Sequence, residues 1–131
     1  MRELKLFEVS QVSAYRYTGI TTFENLAEVT GEYPYEEEVL EKAEIQKENM
    51  MSQGITAGGF SVPAFSVTLR ISPDAAIAKE EDGLLFRFED YDIRDGRSKC
   101  AAVSLLEPEW LEDNCVKLDV FVVSEEKMGA L

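Results

Sequence analysis

The sequence contains no histidine, and this absence removes several kinds of catalytic site. Metal centres with imidazole ligands are excluded, as are serine or cysteine nucleophiles that a histidine activates. Only two cysteines, Cys100 and Cys115, occur in 131 residues, too few for a fold held together by disulfides. Both stand in apolar surroundings typical of strands. We therefore expect buried, reduced thiols and a cytoplasmic protein.

Basic residues are also scarce. The chain has 13 Lys and Arg against 26 Asp and Glu, a formal net charge of −13. Nucleic acids and anionic membrane surfaces bind proteins through clustered Lys and Arg. We therefore expect no direct nucleic-acid binding and no membrane binding. The excess of acid favours a basic partner, with solubility alone as the alternative.

Long apolar runs are missing as well. The first ten residues, "MRELKLFEVS", interleave charges with apolar residues and do not predict a signal peptide. The longest uncharged stretch, residues 49–69, is rich in Gly, Ser and Thr and would make a poor membrane span. Within it, "GITAGGF" lacks the lysine and hydroxyl pattern of a phosphate-binding loop, so we expect a flexible connector.

What remains is the pattern of one globular domain, residues 1–131, with 45% apolar residues. The first 18 residues predict an extended segment whose alternation slips near Ser10, which indicates a bulge or a break, and Gly19 is expected to end it. Period-two alternation and apolar runs predict four further strands. These cover residues 65–71, 84–88, 99–106 and 116–122.

Two helices are predicted ahead of these later strands. "TTFE" at residues 21–24 fits a capping box with Thr21 as N-cap, followed by a helix through Val29. A second helix spans about residues 35–52, because its apolar side chains form one stripe. That stripe consists of Val39, Leu40, Ala43, Met50 and Met51.

Two shorter segments complete the chain. "EPEWLEDN" predicts a helical turn that begins at Pro108, and the polar end, "SEEKMGAL", is expected to fray. Most connections between the strands are too short for a crossover helix. The sequence therefore predicts an α+β fold. It has an N-terminal strand or hairpin, two helices, and then a mostly antiparallel sheet of four to five strands with the helices on one face.

The stretch "DYDIRDGRSK" at residues 90–99 invites a test for cation binding. In a calcium loop of the EF-hand kind that starts at Asp90, Arg94 would occupy a ligand position and the glycine comes one residue late. Asp95-Gly96 is instead a strong signal for a hairpin turn between strands. We therefore predict a turn and no metal site.

Acidic and aromatic residues are interleaved in three segments, "FENLAEVTGEYPYEEE", "FRFEDYDI" and "LEPEWLEDN". An exposed ring flanked by carboxylates would suit a basic binding groove, because the ring supplies contact area and the carboxylates supply charge complementarity. The alternative is that the rings pack into the core and the acidic residues only cover the protein surface. The candidate partner-binding residues are Tyr33, Tyr35, Glu36, Glu37, Glu38, Asp90, Tyr91, Asp92 and Trp110.

The leading hypothesis is a non-enzymatic interaction module, an inhibitor or an assembly subunit, that engages a basic protein and needs no cofactor. One alternative is a small-molecule-binding domain whose pocket is lined by Phe65, Phe86, Phe88 and Tyr15. Another is a hydrolase that uses carboxylates and a metal ion. An example of such a set is Asp74, Glu89 and Lys99.

Overall fold

The computed structural model describes residues 1–52, 54–57, 61–112 and 114–131 and has an α+β fold. The strands are β1 (Arg2–Gln11), β2 (Arg16–Thr22), β3 (Ser66–Ile71), β4 (Ala76–Glu80), β5 (Gly83–Phe88), β6 (Tyr91–Asp95) and β7 (Cys115–Val122). The helices are α1 (Phe23–Thr30), α2 (Glu37–Ser52), α3 (Arg97–Ser104), α4 (Pro108–Leu111) and α5 (Glu125–Gly129). No helix within these ranges is long and apolar enough to cross a lipid bilayer.

All the strands join one mixed sheet in the order β4-β5-β1-β2-β7-β3-β6. The pairing of β3 with β7 is parallel, and every other pairing between named strands is antiparallel. The predicted mostly antiparallel sheet is confirmed, but it holds seven strands within the described residues instead of four to five. The extra strands β4 and β6 are only five residues long. A segment of this length is too short for alternation of apolar and polar residues to identify a strand.

A short link shows that this sheet is strongly curled. β5 is second in the order and β6 is seventh, yet only Glu89 and Asp90 connect them. Three extended peptide steps span about 10 Å, whereas five strand spacings in a flat sheet amount to about 24 Å. The sheet therefore rolls until its two ends approach each other, with β4 and β6 as its edges.

The core lies between the sheet and two helices. α1 contributes the buried residues Phe23, Leu26 and Val29, and it contacts β1 and β2. α3 is buried at four consecutive positions, Cys100 to Val103, because it packs on the core with one side and on α2 with the other. Helix α2 is therefore the outermost layer of the fold.

Several sequence predictions are confirmed. Strands β3, β5 and β7 lie where alternation placed them, and α4 begins at Pro108. The slip near Ser10 is a β-bulge: two residues, Glu8 and Val9, lie between Phe7 and Ser10 on β1, whereas only Gly19 lies between their partners Ile20 and Thr18 on β2. Gly19 does not end the strand, because β2 continues through it.

The prediction of a strand at residues 99–106 is wrong, because this segment lies mostly in helix α3. A short helix whose middle is buried on all sides shows a continuous apolar run in its sequence. A buried strand shows the same kind of run, so the pattern does not distinguish the two. The Asp95-Gly96 hairpin is wrong for a related reason. Gly96 reverses the chain with a φ of 92°, but it leads β6 into α3 instead of into a strand.

Helix boundaries also differ from the predictions. The N-cap of α1 is Thr22, not Thr21, and its side chain accepts a hydrogen bond from the amide of Asn25. The C-terminal tail is not frayed throughout, since it contains α5. In the predicted connector, Gln53 and residues 58–60 lie outside the described residues, as does Asp113 after α4.

Candidate protein-binding surface

Helix α2 presents a row of glutamates to solvent. Glu37, Glu41, Glu44 and Glu48 are all exposed. At 100° per residue these four positions fall within about 60° of the helix circumference. We call them the glutamate ridge. Such a row forms because the opposite side of the helix is the one that packs on α3.

Two exposed apolar side chains flank the glutamate ridge, one on each side. Leu40 is 46% exposed and Ile45 is 64% exposed. Leu40 was predicted in the core-facing stripe, but only Ala43 and Met50 of α2 are buried. As the outermost layer, α2 covers α3 with a narrow stripe and leaves Leu40 at its margin.

The charge of the glutamate ridge is not neutralised. No ridge glutamate forms an ion pair with any described residue, whereas several other acids do. Arg16, for example, lies 2.7 Å from Asp119, and Arg87 lies 2.8 Å from Glu3. The ridge is therefore a local source of negative potential, which is strongest at low ionic strength.

The predicted residues Tyr33, Tyr35 and Tyr91 form one group, which we call the tyrosine cluster. The ring centroids of Tyr33 and Tyr35 lie 5.2 Å apart, and those of Tyr33 and Tyr91 lie 5.8 Å apart. Arg2 stacks on Tyr91 at 4.8 Å and Arg97 on Tyr33 at 5.6 Å. The cluster thus joins residues that are nearly sixty positions apart in the chain.

The tyrosine cluster closes the C-terminal end of α1, where carbonyl groups lack partners within the helix. The Tyr35 hydroxyl donates to the Thr30 carbonyl at 2.9 Å, and the Tyr91 hydroxyl donates to the Val29 carbonyl at 3.0 Å. Burial raises the pKa of Tyr35 and of Tyr91, so both hydroxyls remain protonated donors at neutral pH. These two rings are half-buried and serve the fold.

Asp90 and Asp92 lie on the other face of β6 from Tyr91, because successive side chains of a strand alternate. Both carboxylates bind the guanidinium of Arg70 on β3. Arg70 also donates to the Val123 carbonyl at 2.9 Å and lies 3.6 Å from Glu125. The carboxylates of Asp90 and Asp92 are therefore both ion-paired with the buried guanidinium of Arg70.

The sequence pattern placed Arg70 on the exposed face of its strand, yet it is only 1% exposed. Its partner Asp92 faces it directly across the β3–β6 ladder. The signal, two aspartates spaced by two residues and one arginine in another strand, is visible in the sequence. The register that brings them together is not.

The remaining candidates lie at two places. Glu36, Glu37 and Glu38 are exposed where the chain leaves Tyr35 and enters α2, so they extend the acidic surface at that end. Trp110 is half-buried on α4 and packs against the core. It takes part in none of the ring contacts found among the described residues.

The four aromatic residues proposed to line a pocket are separated in the structure. Phe86 and Phe88 are buried, where Phe86 contacts Tyr17 and Phe88 contacts Tyr91. Phe65 packs beside Phe23, and the ring of Tyr15 lies under Lys127 at 4.5 Å. The two buried rings belong to the core and are not part of an open binding site.

The proposed metal-binding set is not assembled either. Asp74 and Glu89 line one surface depression, but Lys99 lies on α3, where its ammonium is 5.5 Å from the Phe65 ring. Among the described residues, no three Cys, Asp or Glu side chains are grouped closely enough to hold a metal ion.

No protein-family model, no curated protein and no solved structure matches this chain.

Proposed function

We propose that this protein is a non-enzymatic interaction module that docks a basic protein on helix α2. The glutamate ridge supplies charge complementarity, and Leu40 and Ile45 supply apolar contact. Glu36 and Tyr33 extend the surface at its N-terminal end. An inhibitor that covers a basic groove, or an acidic subunit of an assembly, would act in this way. The observation that carries the proposal is the row of four glutamates, which form no ion pair with any described residue, between two exposed apolar side chains.

Electrostatics supports a basic partner over other classes. A surface of one sign steers an oppositely charged protein and raises its association rate, while it repels phosphate backbones and anionic lipid. The whole chain adds to this field, with 26 acids against 13 bases. A second copy of the chain is a poor occupant for the same reason, since the two ridges would repel each other.

The apolar flanks support a docking role over solubility alone. A surface that served only to keep the protein soluble would gain nothing from a leucine and an isoleucine beside its glutamates. Interfaces combine an apolar centre that excludes water with charges that set orientation. Leu40 and Ile45 fit the first role, and the glutamate ridge fits the second.

We also propose that the protein works in the reducing cytoplasm. Both cysteines are buried. Burial raises the pKa of Cys100 to about 12, so its thiol is protonated and chemically inert near neutral pH. A protein of this kind does not depend on an oxidising compartment.

The proposal is tested by photocrosslinking in cells of the source organism. A benzophenone amino acid replaces Ile45 in one protein and Ile77, the exposed isoleucine of β4, in a control. We expect one major adduct with a basic protein from position 45 only. It should be lost in Glu41→Lys/Glu44→Lys and retained in Glu109→Lys/Glu126→Lys, which makes the same change in net charge at exposed positions elsewhere.

Two results would refute this proposal. The same adduct from both crosslinker positions would mean that trapping reflects abundance and not docking. An adduct that survives charge reversal on the glutamate ridge would mean that the ridge plays no part.

A further inference from the structure

A second site of different character lies beside the tip of the β4–β5 hairpin. It is a cleft of about 480 Å³ between the C-terminal half of β1, the start of β2 and the tip of the β4–β5 hairpin. Val9, Tyr17 and Leu84 provide apolar surface, and Glu8, Lys79 and Glu81 bring charge to it. Its volume is in the range of sites that hold small organic molecules.

The β-bulge shapes one wall of this cleft. Glu8 and Val9 are the two bulge residues that lie opposite Gly19 on β2. Glu8 has a φ of 49°, a left-handed conformation that residues other than glycine rarely adopt. Across from it, Gly19 lets the backbone approach closely, since a Cβ there would lie 2.5 Å from the Phe7 carbonyl oxygen. A glutamate held in a strained position beside a cleft suggests a functional reason for the strain.

Tyr17 supplies an independent sign of a ligand. Its side chain is only 9% exposed, and its ring packs against Phe86 at 5.4 Å. Its hydroxyl donates to no described residue, although no fully buried side-chain oxygen or nitrogen of the described residues lacks a partner. The hydroxyl must therefore keep contact with solvent, and the cleft is the cavity that Tyr17 lines.

The charge of the cleft is negative. Glu8 and Glu81 form no ion pair with any described residue, while Glu80 and Asp82 share Lys5 at 3.5 Å and 3.4 Å. Lys79 is the cation that lines the cleft itself. Apolar and aromatic surface rimmed by uncompensated carboxylates suits a molecule that has an apolar body and a positive charge.

We propose that this cleft binds an organic cation, whose apolar group rests on Val9, Tyr17 and Leu84 and whose ammonium lies between Glu8 and Glu81. The Tyr17 hydroxyl, which forms no hydrogen bond with any described residue, can accept one from the ligand's ammonium. This site is separate from the glutamate ridge of α2, and the inference does not depend on the proposed protein partner.

The test is a titration of the full chain, labelled with ¹⁵N, with three compounds that share an indole ring. Tryptamine is a cation, tryptophol is neutral and indole-3-acetate is an anion. We expect tryptamine to shift the amide signals of Val9, Tyr17 and Leu84 saturably, with a dissociation constant of about 1 mM or lower. Tryptophol should bind about tenfold more weakly, and indole-3-acetate should cause no saturable shift.

Variants connect the binding to the named groups. Glu8→Gln/Glu81→Gln should weaken tryptamine binding about tenfold, whereas Glu109→Gln/Glu126→Gln, with the same loss of charge, should leave it unchanged. Tyr17→Phe should weaken it a few-fold without loss of stability, because the hydroxyl forms no hydrogen bond with any described residue. The unperturbed spectrum of each variant reports whether it has folded.

Three outcomes would overturn the proposal. They are equal affinity for tryptamine and tryptophol, shifts centred on residues away from the cleft, and no saturable shift up to about 10 mM.

Discussion

The guanidinium of Arg70 is buried, and its partners come from three parts of the fold. It binds Asp90 in the β5–β6 link, Asp92 on β6 and the Val123 carbonyl just after β7. Burial alone would lower the pKa of Arg70, but the hydrogen bonds that its guanidinium donates to Asp92 and Asp90 outweigh burial and raise that pKa. Arg70 is therefore always charged, and the fold depends on the carboxylates that compensate its buried charge.

We predict that Asp92→Ala lowers the free energy of unfolding by about 3 kcal/mol or more, because it leaves a buried charge without its main partner. Asp92 is 17% exposed, so water can replace little of the lost interaction. Asp119→Ala is the control, since it breaks the more exposed pair with Arg16 and should cost about 1 kcal/mol or less. Urea denaturation measures both, and equal losses would contradict this reading of Arg70.

Cys100 makes stability depend on pH in the alkaline range. Burial raises its pKa from 9.0 to about 12 in the folded protein. Below pH 9 the thiol is protonated in both states and contributes no pH dependence. Between pH 9 and about 12 only the unfolded chain releases the proton, so the free energy of unfolding falls by about 1.4 kcal/mol per pH unit.

The test compares wild type with Cys100→Ala in urea at several pH values from about 7 to 11. Tyr35 and Tyr91, whose pKa values are also raised, act in both proteins and largely cancel in the comparison. We expect the stability advantage of the wild type to be constant up to pH 9 and to shrink above it. An advantage that stays constant to pH 11 would show that the thiol is not shielded from water.

The β1–β2 pair shows how an element depends on two special positions. Glu8 occupies a left-handed conformation in the bulge, and Gly19 stands where any side chain would strike the Phe7 carbonyl. The sequence predicted an irregularity at this place because alternation slipped near Ser10. It could not predict that Glu8 takes the strained conformation.

We predict that Glu8→Gly raises the free energy of unfolding by about 0.5–1 kcal/mol, because glycine adopts positive φ without steric cost. Ser10→Gly, at an ordinary position of β1, should lower it by about the same amount. Gly19→Ala should lower it by about 2 kcal/mol or more, because the new methyl group would force the backbone of β1 at Phe7 to move. Thermal unfolding followed by circular dichroism measures all three, and a stability loss in Glu8→Gly would contradict the assigned bulge.

Elements were predictable from the sequence where one face was buried and the other was solvated. β3, β5 and β7 follow that rule, with the exception of Arg70, which is buried on the polar face of β3, and each strand was placed within one residue. α3 was missed because its four residues Cys100 to Val103 are all buried, so this part of the helix shows no helical period. β4 was missed for the opposite reason, since four of its five residues are exposed.

At the scale of the whole molecule, the decisive facts are long-range pairings that no local pattern specifies. The curl of the sheet follows from the two-residue link between β5, second in the strand order, and β6, seventh. It brings Tyr91 to Tyr33, and the β3–β6 ladder brings Asp92 to Arg70. The sequence therefore supplied the residues of a candidate site but not their grouping.

The grouping of residues in the structure separates the two acidic segments that the sequence suggested as one binding surface. The sequence suggested that the carboxylates of α2 and those near Asp90 act together. In the structure Asp90 and Asp92 are engaged by Arg70, whereas the glutamate ridge has no ion-pair partner among the described residues. The ridge is therefore where we expect a basic partner to dock.

The most direct test of this central claim is the association rate of the crosslinked partner, measured by stopped flow at about 20 mM and 500 mM NaCl. Three proteins are compared: wild type, a ridge variant with glutamine at positions 37, 41, 44 and 48, and a control with glutamine at the exposed glutamates 107, 109, 112 and 126. We predict that wild type and control associate about tenfold or more faster at low salt, and that the ridge variant is slow at both. A wild-type rate that does not change with salt, or a ridge variant as fast as the control, would contradict the account.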